Sequence, residues 1–282
     1  MALHGFTRIA GITIMLLVVC IVTTLANEVF VDPYNLSNLM RRTALFGILG
    51  LGVAFVIITG GIDLSIGAVV ALTGITMMHM LQSPDANPAL AIAVAMGVGV
   101  LIGLFHGILI GYCKLQPFIV TLCGLMYYRG IAQLISGDTT LSMNPQFNGL
   151  RTIATGKAFD LPVPFIHSIY TPPNVEEASL IAWVPLPIPM LLLLVLAVLG
   201  AVMLHKTVPG RYHLALWRNE EASRFSCINT KQMTLLAYLI CSTFASLGGN
   251  LFALDVNNVH PSSHGNFYEL YDIAAAVLGG SS

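Results

Sequence analysis

The sequence predicts an all-α polytopic membrane protein, a glycine-rich bundle of transmembrane helices, and three observations carry that expectation. Of its 282 residues 56% are hydrophobic and only 9% charged, against about a quarter charged in ordinary soluble domains. So little polar surface cannot cover a globule of this size. The apolar residues come in uninterrupted runs of roughly 20, the length a helix needs to cross a hydrocarbon core of about 30 Å. The runs are continuous rather than alternating, so helices and not a closed barrel satisfy the backbone in lipid.

The elements follow in chain order. The start "MALHGFTR" resembles the basic region of a signal peptide, but the apolar stretch Ile9 to Leu25 is long and "LANEVF" matches a small-residue cleavage site poorly. An uncleaved first span over Phe6 to Leu25 is therefore predicted. Further spans are predicted over Thr43 to Ile58, Ile66 to Leu81, Ala89 to Gly111, Pro117 to Ile135, Leu186 to Leu204 and Met233 to Leu254, with a last one from Leu270 to the chain end. That last run is too short to cross, so a chain stopping at "AAAVLGGSS" reads as cut off inside a membrane segment. The expectation is one membrane domain over residues 1–282, C-terminally incomplete, with about eight spans visible.

Two hydrophilic stretches set the topology. Residues 136–185 carry only Arg151 and Lys157 as bases and are rich in proline, whereas residues 205–232 carry Lys206, Arg211, Arg218, Arg224 and Lys231. By the positive-inside rule the second is a cytoplasmic loop and the first extracytoplasmic. Counting back, Lys114 and the N-terminus with Arg8 fall inside and "QSPDANP" outside. Arg41 and Arg42 then fall outside, against the rule, on an amphipathic lead-in helix or paired with acids elsewhere.

A net charge of −1 and the lack of a basic stripe with interleaved aromatics argue against a nucleic-acid partner. Five scattered cysteines without CxxC spacing read as small buried hydrophobes, not disulfides or metal ligands. The motifs HExxH, GxSxG, GxxxxGK[ST] and GxGxxG do not occur, and His260 and His264 in "HPSSHG" sit in a loop pattern, so no metal, nucleotide or hydrolase site is expected. Glycines within "FGILGLGVAF", "MGVGVLIGLFHGILIG" and "SLGGN" let helix backbones approach closely, which predicts a tightly packed bundle.

The stretch "TGGIDLSIG" places an acid between two spans. Gly60 and Gly61 break the second span, and Asp63 stands where a helix restarts, its carboxylate able to accept from the N–H of Ser65 or Ile66. That is a capping role. A helix broken at Gly-Gly is also a polar, irregular element, which survives at membrane depth only when buried in protein or lining a cavity, and an intramembrane acid is a site hypothesis by default. In the basic loop, Asn219 is an N-cap with Glu220 and Glu221 in the first turn and Arg224 in the next. Ala222 and Phe225 give this short helix one small apolar face. Such a helix needs a partner surface, its own membrane domain or a soluble subunit. Arg129, well inside an apolar run behind Tyr127 and Tyr128, either snorkels to the outer interface or pairs inside the bundle, and the two tyrosines fit an interfacial belt.

Four ordered blocks, "GLGVAFVIITGGIDLSIGAVVALTG", "LQPFIVTLCGLMYYRGIAQLISG", "GRYHLALWRNEEASRFSCINTKQM" and "YELYDIAAAVLGGSS", together resemble the membrane permease subunits of ribose-type bacterial ABC sugar importers, in the branched-chain amino acid/ribose permease superfamily. The resemblance runs from about Asn35 to the end. It implies a helical inner-membrane permease of about ten spans that pairs with a second permease copy, a cytoplasmic ATP-binding subunit and an extracytoplasmic sugar-binding protein. It also implies that this chain is no enzyme and binds no cofactor, ATP and Mg being held by the ATPase. Gly60, Gly61, Asp63 and Ser65 resemble the broken helix near the translocation path. Gly210, Arg211, Asn219, Glu220, Glu221, Ala222 and Arg224 resemble the loop that contacts the ATPase. Pro117, Thr121, Arg129, Gly130, Glu269, Gly279 and Gly280 match further family motifs.

The chain departs from the family in three ways. "ALWRN", with Trp217 and Arg218, stands where "AIGGN" is usual, the outer loop is longer, and family members continue past "GGTS" with more spans. The rival reading is a secondary transporter or channel for a small polar solute. Ion coupling usually shows several facing intramembrane acids or histidines, and here Asp63 is nearly alone, with His79 and His106 as weak companions. An intramembrane enzyme comes third, since no Ser/His, paired Asp or HExxH arrangement lies inside the spans.

Overall fold

The computed structural model describes residues 2–164, 181–226 and 228–279. Each expected span coincides with a helix: α1 (Ala2–Ala26), α2 (Pro33–Ile58), α3 (Ile66–Met80), α4 (Pro88–Gly107, continued by the π-helical turn Ile108–Tyr112), α5 (Pro117–Ser136), α7 (Ile188–Lys206), α10 (Thr230–Val256) and α11 (Tyr268–Leu278). Between them lie α6 (Thr152–Thr155), α8 (Val208–Arg218) and α9 (Glu220–Phe225). Among the described residues, α2, α4 with its π turn, α5, α7 and α10 are each long and apolar enough to cross a membrane, while α3 is shorter.

Helix starts follow local chemistry. Pro33, Pro88 and Pro117 occupy first-turn positions, where the missing N–H is no loss. The Asn87 and Asp32 side chains accept from the N–H groups that follow them. Because Asp32 caps and Pro33 initiates, α2 begins ten residues ahead of the expected Thr43. Arg41 and Arg42 thus lie inside a helix, and Arg41 pairs with Asp255, Nε to Oδ1 3.2 Å.

The core is assembled around α10, which packs along α4, α2 and α3. α3 is buried from Ile66 through Ile75 without a gap, the signature of a helix enclosed on all sides. Its 15 residues span about 22 Å, short of a full crossing. The expected close packing has a specific form at the α4–α10 seam. Gly99, Gly103, Gly107 and Gly111 recur every four residues and abut Ser246, Leu239, Leu235 and Lys231 in turn. A Cβ on Gly103 would lie 2.8 Å from the Leu239 Cα, and one on Gly107 2.8 Å from the Leu235 Cα. By contrast α7 lies at the periphery, where Pro189 is its one buried residue.

The proline-rich stretch adds a feature the sequence reading lacks. After a 3₁₀ segment (Pro145–Arg151) and α6, strands β1 (Lys157–Pro164) and β2 (Ile181–Pro187) pair antiparallel, Asp160 opposite Pro185 and Pro162 opposite Trp183. Ala182 and Val184 bury against Leu36, Met40 and Val163, seating the hairpin on the start of α2. The cysteine expectation needs correction. Cys20, Cys113, Cys123 and Cys241 are free, but of these only Cys241 is buried, while Cys113 and Cys123 are exposed. Cys227 lies outside the described residues.

Candidate functional site

The break between α2 and α3 uses its two glycines differently. Gly60 has φ +74, a left-handed conformation with little cost only for glycine. Gly61 has no room for a side chain, since a Cβ there would sit 2.6 Å from the Tyr238 hydroxyl oxygen. That hydroxyl donates to the Ile62 carbonyl at 3.2 Å and satisfies one backbone group freed by the break. Tyr238 lies eight residues into α10, about 12 Å from its start. The interruption therefore rests against α10, with Gly61 and Asp63 buried and Gly60 and Ile62 exposed.

Asp63 is 1% exposed. Its Oδ1 accepts from the Ser65 N–H at 2.9 Å and from the Ser65 hydroxyl at 2.7 Å, one of the two capping bonds expected for it. The N-cap position itself belongs to Ser65, whose side chain makes no cap bond. Asp63 thus anchors the restart from two residues outside the helix.

Asp63 is not nearly alone. His106 is fully buried, its Nε2 lies 2.9 Å from the Tyr128 hydroxyl, and its ring packs edge-on to Tyr238 at 6.3 Å, the tyrosine that holds the break. The Cys241 thiol faces the Asp63 carboxylate. A buried polar group therefore joins the α3 start to α4, α5 and α10. His79, in contrast, is exposed. Tyr128 is 4% exposed and sits midway along α5, so it is a core residue and not part of an interfacial belt. Only its neighbour Tyr127, 66% exposed, points outward. No periodic signal in the sequence links His106 to a tyrosine 22 residues on.

Beside the break is a cleft of about 300 Å³ lined by Thr59, Gly60, Gly61, Lys114, Pro117, Thr234 and Tyr238 among others. Pro117 opens α5, and the buried Thr121 hydroxyl donates back to its carbonyl at 2.9 Å. Gly130 lies on the opposite, open face of α5. Arg129 pairs inside the bundle instead of snorkelling. Its guanidinium donates to the carbonyls of Pro261, His264 and Gly265, and the 8%-exposed Glu269 lies within reach of its charge. Gly279 follows the last turn of α11, and Gly280 lies outside the described residues.

The basic loop forms a separate group, remote in sequence from the break. Gly210 is pressed against the Met203 and Leu204 backbone, so α8 folds directly back on the end of α7. The buried His213 packs α8 on α2, its ring edge-on to Phe55 at 6.2 Å, while its Nδ1 lies 2.9 Å from the Pro209 oxygen one turn back in α8. This residue was missed by the sequence reading, and only its i+4 spacing from Pro209 hints at it. The Asn219 Oδ1 accepts from the Ala222 N–H at 3.0 Å, as a cap should. Arg211 in α8 is exposed, and in α9 the buried residue is Ser223, while Glu221, Ala222 and Arg224 are exposed and Phe225 is 81% exposed. The side chain of Glu220 lies outside the described residues. The small apolar face of α9 therefore points away from the membrane domain.

The comparisons agree along the chain. It is 31% identical over 278 residues to the ribose import permease protein of Bacillus subtilis (strain 168), covering 99% of this chain and 78% of that protein. It is 30% identical over 255 residues to the galactofuranose transporter permease protein of Escherichia coli (strain K12), covering 90% and 66%. It is also 29% identical over 257 residues to an inner membrane ABC transporter permease protein of the same organism, covering 89% and 69%. No solved structure matches. Residues 35–282 match the family described as branched-chain amino acid transport system / permease component, and with the match covering all but the first helix and its linker, the chain belongs to this family of membrane permeases.

Proposed function

We propose that the chain is the permease subunit of an ATP-driven importer in the bacterial inner membrane that carries a monosaccharide of the ribose, xylose or galactose kind. It forms the translocation path, while ATP and Mg are bound and hydrolysed on a separate cytoplasmic subunit. A sugar-binding protein delivers the substrate from outside, and a second permease copy completes the path.

The observation that carries this reading is the interrupted helix, whose Thr59, Gly60 and Gly61 line a cleft with Gln116, Thr234 and Tyr238, so that hydroxyl, amide and backbone groups outnumber its one charged side chain, Lys114. A neutral sugar needs such groups and no counter-ion. The outward-facing α9, seated on α8 and capped by Asn219, is the contact proposed for the ATPase. ATP-driven closure of that subunit would push on α9 and shift the bundle between two states, and the free energy comes from contacts that differ between them.

One observation favours a second reading, a proton-coupled carrier: the buried Asp63, His106 and Tyr128 share one neighbourhood. Uptake of radiolabelled ribose, galactose and xylose into proteoliposomes holding the permease, its ATPase and its binding protein separates the two. The importer reading expects uptake that requires ATP and persists when an uncoupler collapses the proton gradient. Uptake that stops with the uncoupler while ATP is held constant favours the carrier.

A further inference from the structure

The stretch between α10 and α11, residues 257–267, is a second irregular segment, and α5 holds it in place. Arg129 lies twelve residues past the start of α5 and seven before its end, about 18 and 10 Å along the axis. Its Nη1 donates to the Pro261 carbonyl at 2.8 Å and the His264 carbonyl at 2.5 Å, and Nη2 to the Gly265 carbonyl at 3.3 Å. One turn on, the Gln133 amide donates to the Ser262 hydroxyl at 3.1 Å, and that hydroxyl donates to the Asp138 carboxylate at 3.4 Å.

The same segment is pressed against the restart of α3. Gly265 has φ +67, and a Cβ on it or on Gly67 would collide with the other's carbonyl. Gly67 stands two residues beyond Ser65, the Asp63 partner. The two irregular segments are thus in backbone contact, one held by Tyr238 and Asp63, the other by Arg129.

Pro261, His264 and Gly265 are buried, although Ser262, Ser263 and Asn266 between and beside them are exposed, and buried carbonyls need a donor from the protein. A guanidinium, with five donors in a rigid fork, answers three of them at once, which a lysine ammonium on a flexible stem does not reproduce. We propose that Arg129 is a positioning residue for transport: it fastens residues 261–265 to α5, so that α5 and this segment move as one body beside the interrupted start of α3 throughout the transport cycle. The proposal rests on the reading of the chain as a transport subunit.

The test uses Gln133→Cys with Ser262→Cys in the full chain, the exposed Cys113 and Cys123 changed to Ser, assembled with the ATPase and binding protein in proteoliposomes. A short bifunctional methanethiosulfonate bridges the pair, and mass spectrometry of the linked peptides reads the yield without reference to transport. The expected result is a high yield, unchanged by ATP or by the binding protein, and sugar uptake equal to that of the unbridged complex. Uptake that stops on bridging and returns on reduction would overturn the proposal, because the segment would then have to leave α5.

Arg129→Gln is expected to cut both bridging yield and uptake about tenfold, the size expected when buried carbonyls lose a charged donor, and Arg129→Lys to recover part of each. If Arg129→Gln does not accumulate in the membrane, Arg129→Lys alone is read, and undiminished yield and uptake in it overturn the role. A complex that bridges as described but shows no ATP-driven uptake in its unmodified form refutes the transport reading and leaves the clamp standing as a structural one.

Discussion

Arg41 and Asp255 form an ion pair between α2 and the end of α10, Nε to Oδ1 3.2 Å, with side chains 21% and 9% exposed. Arg151 reinforces it by donating to the Leu254 and Asp255 carbonyls at 3.2 and 3.0 Å. Arg41 thus ties α2 to this end of α10, and Arg151 supplies donors to C-terminal carbonyls that would otherwise lack them.

Removing one partner leaves the other poorly hydrated, so Arg41→Met or Asp255→Asn should each cost about 1–3 kcal/mol, between the values for exposed and buried pairs. The double variant should cost less than the sum. Melting of the detergent-purified protein by intrinsic fluorescence provides the double-mutant cycle; additive losses would mean that the two side chains do not interact.

The α4–α10 seam yields a second expectation. Gly103→Leu places a branched side chain where the Leu239 Cα leaves no space, and overpacking at a backbone contact costs about 1–3 kcal/mol or more. Gly97, which has nothing within 4 Å of a built Cβ, is the control. Gly97→Leu should leave folded yield and melting temperature near wild type while Gly103→Leu lowers both. Equal behaviour would show that the seam is loose.

Much of this architecture is legible in the sequence because membrane helices announce themselves by length and composition. Ile66, Pro88 and Pro117 begin helices where hydropathy and proline placement put them. Hydropathy fails at the start of α2, since Arg41 and Arg42 look like a boundary until Asp255 is seen to neutralise Arg41 from a helix two hundred residues away. The hairpin of β1 and β2 is hidden by its prolines, which read as loop.

At the site, the glycine break and the Ser65 bond to Asp63 follow from local spacing. The placement of His106, Tyr128 and Cys241 around that carboxylate depends on which faces of α4, α5 and α10 turn inward, and a single sequence does not encode this locally.

That buried group supports a third expectation. Tyr128→Phe removes the hydroxyl beside His106 Nε2 and leaves a buried imidazole nitrogen without its partner, at a cost of about 1–3 kcal/mol, whereas replacing both partners by apolar groups is nearly neutral. Tyr128→Phe should therefore melt earlier than wild type, and Tyr128→Phe with His106→Leu should recover most of the loss. Uptake by the double variant should stay insensitive to an uncoupler. An uptake defect with full stability would mark the pair as part of the transport chemistry.

The last expectation concerns α9. Its buried residue is Ser223, and its cap is the Asn219 Oδ1 accepting from the Ala222 N–H, so neither depends on the side chains of Glu221, Arg224 or Phe225, all of which are exposed. Ala substitutions at exposed positions of a short helix change stability by about 0.5 kcal/mol or less, so a change in assembly cannot be blamed on unfolding. If α9 is the contact for a cytoplasmic ATPase, Phe225 is its apolar anchor, flanked by one acid and one base that set the register. Phe225→Ala should then abolish co-purification of the ATPase, and Glu221→Ala with Arg224→Ala should weaken it and make it more salt-sensitive, while membrane insertion and melting temperature stay put. Undiminished co-purification with Phe225→Ala would move the contact elsewhere on the basic loop, with the exposed Trp217 the next side chain to change.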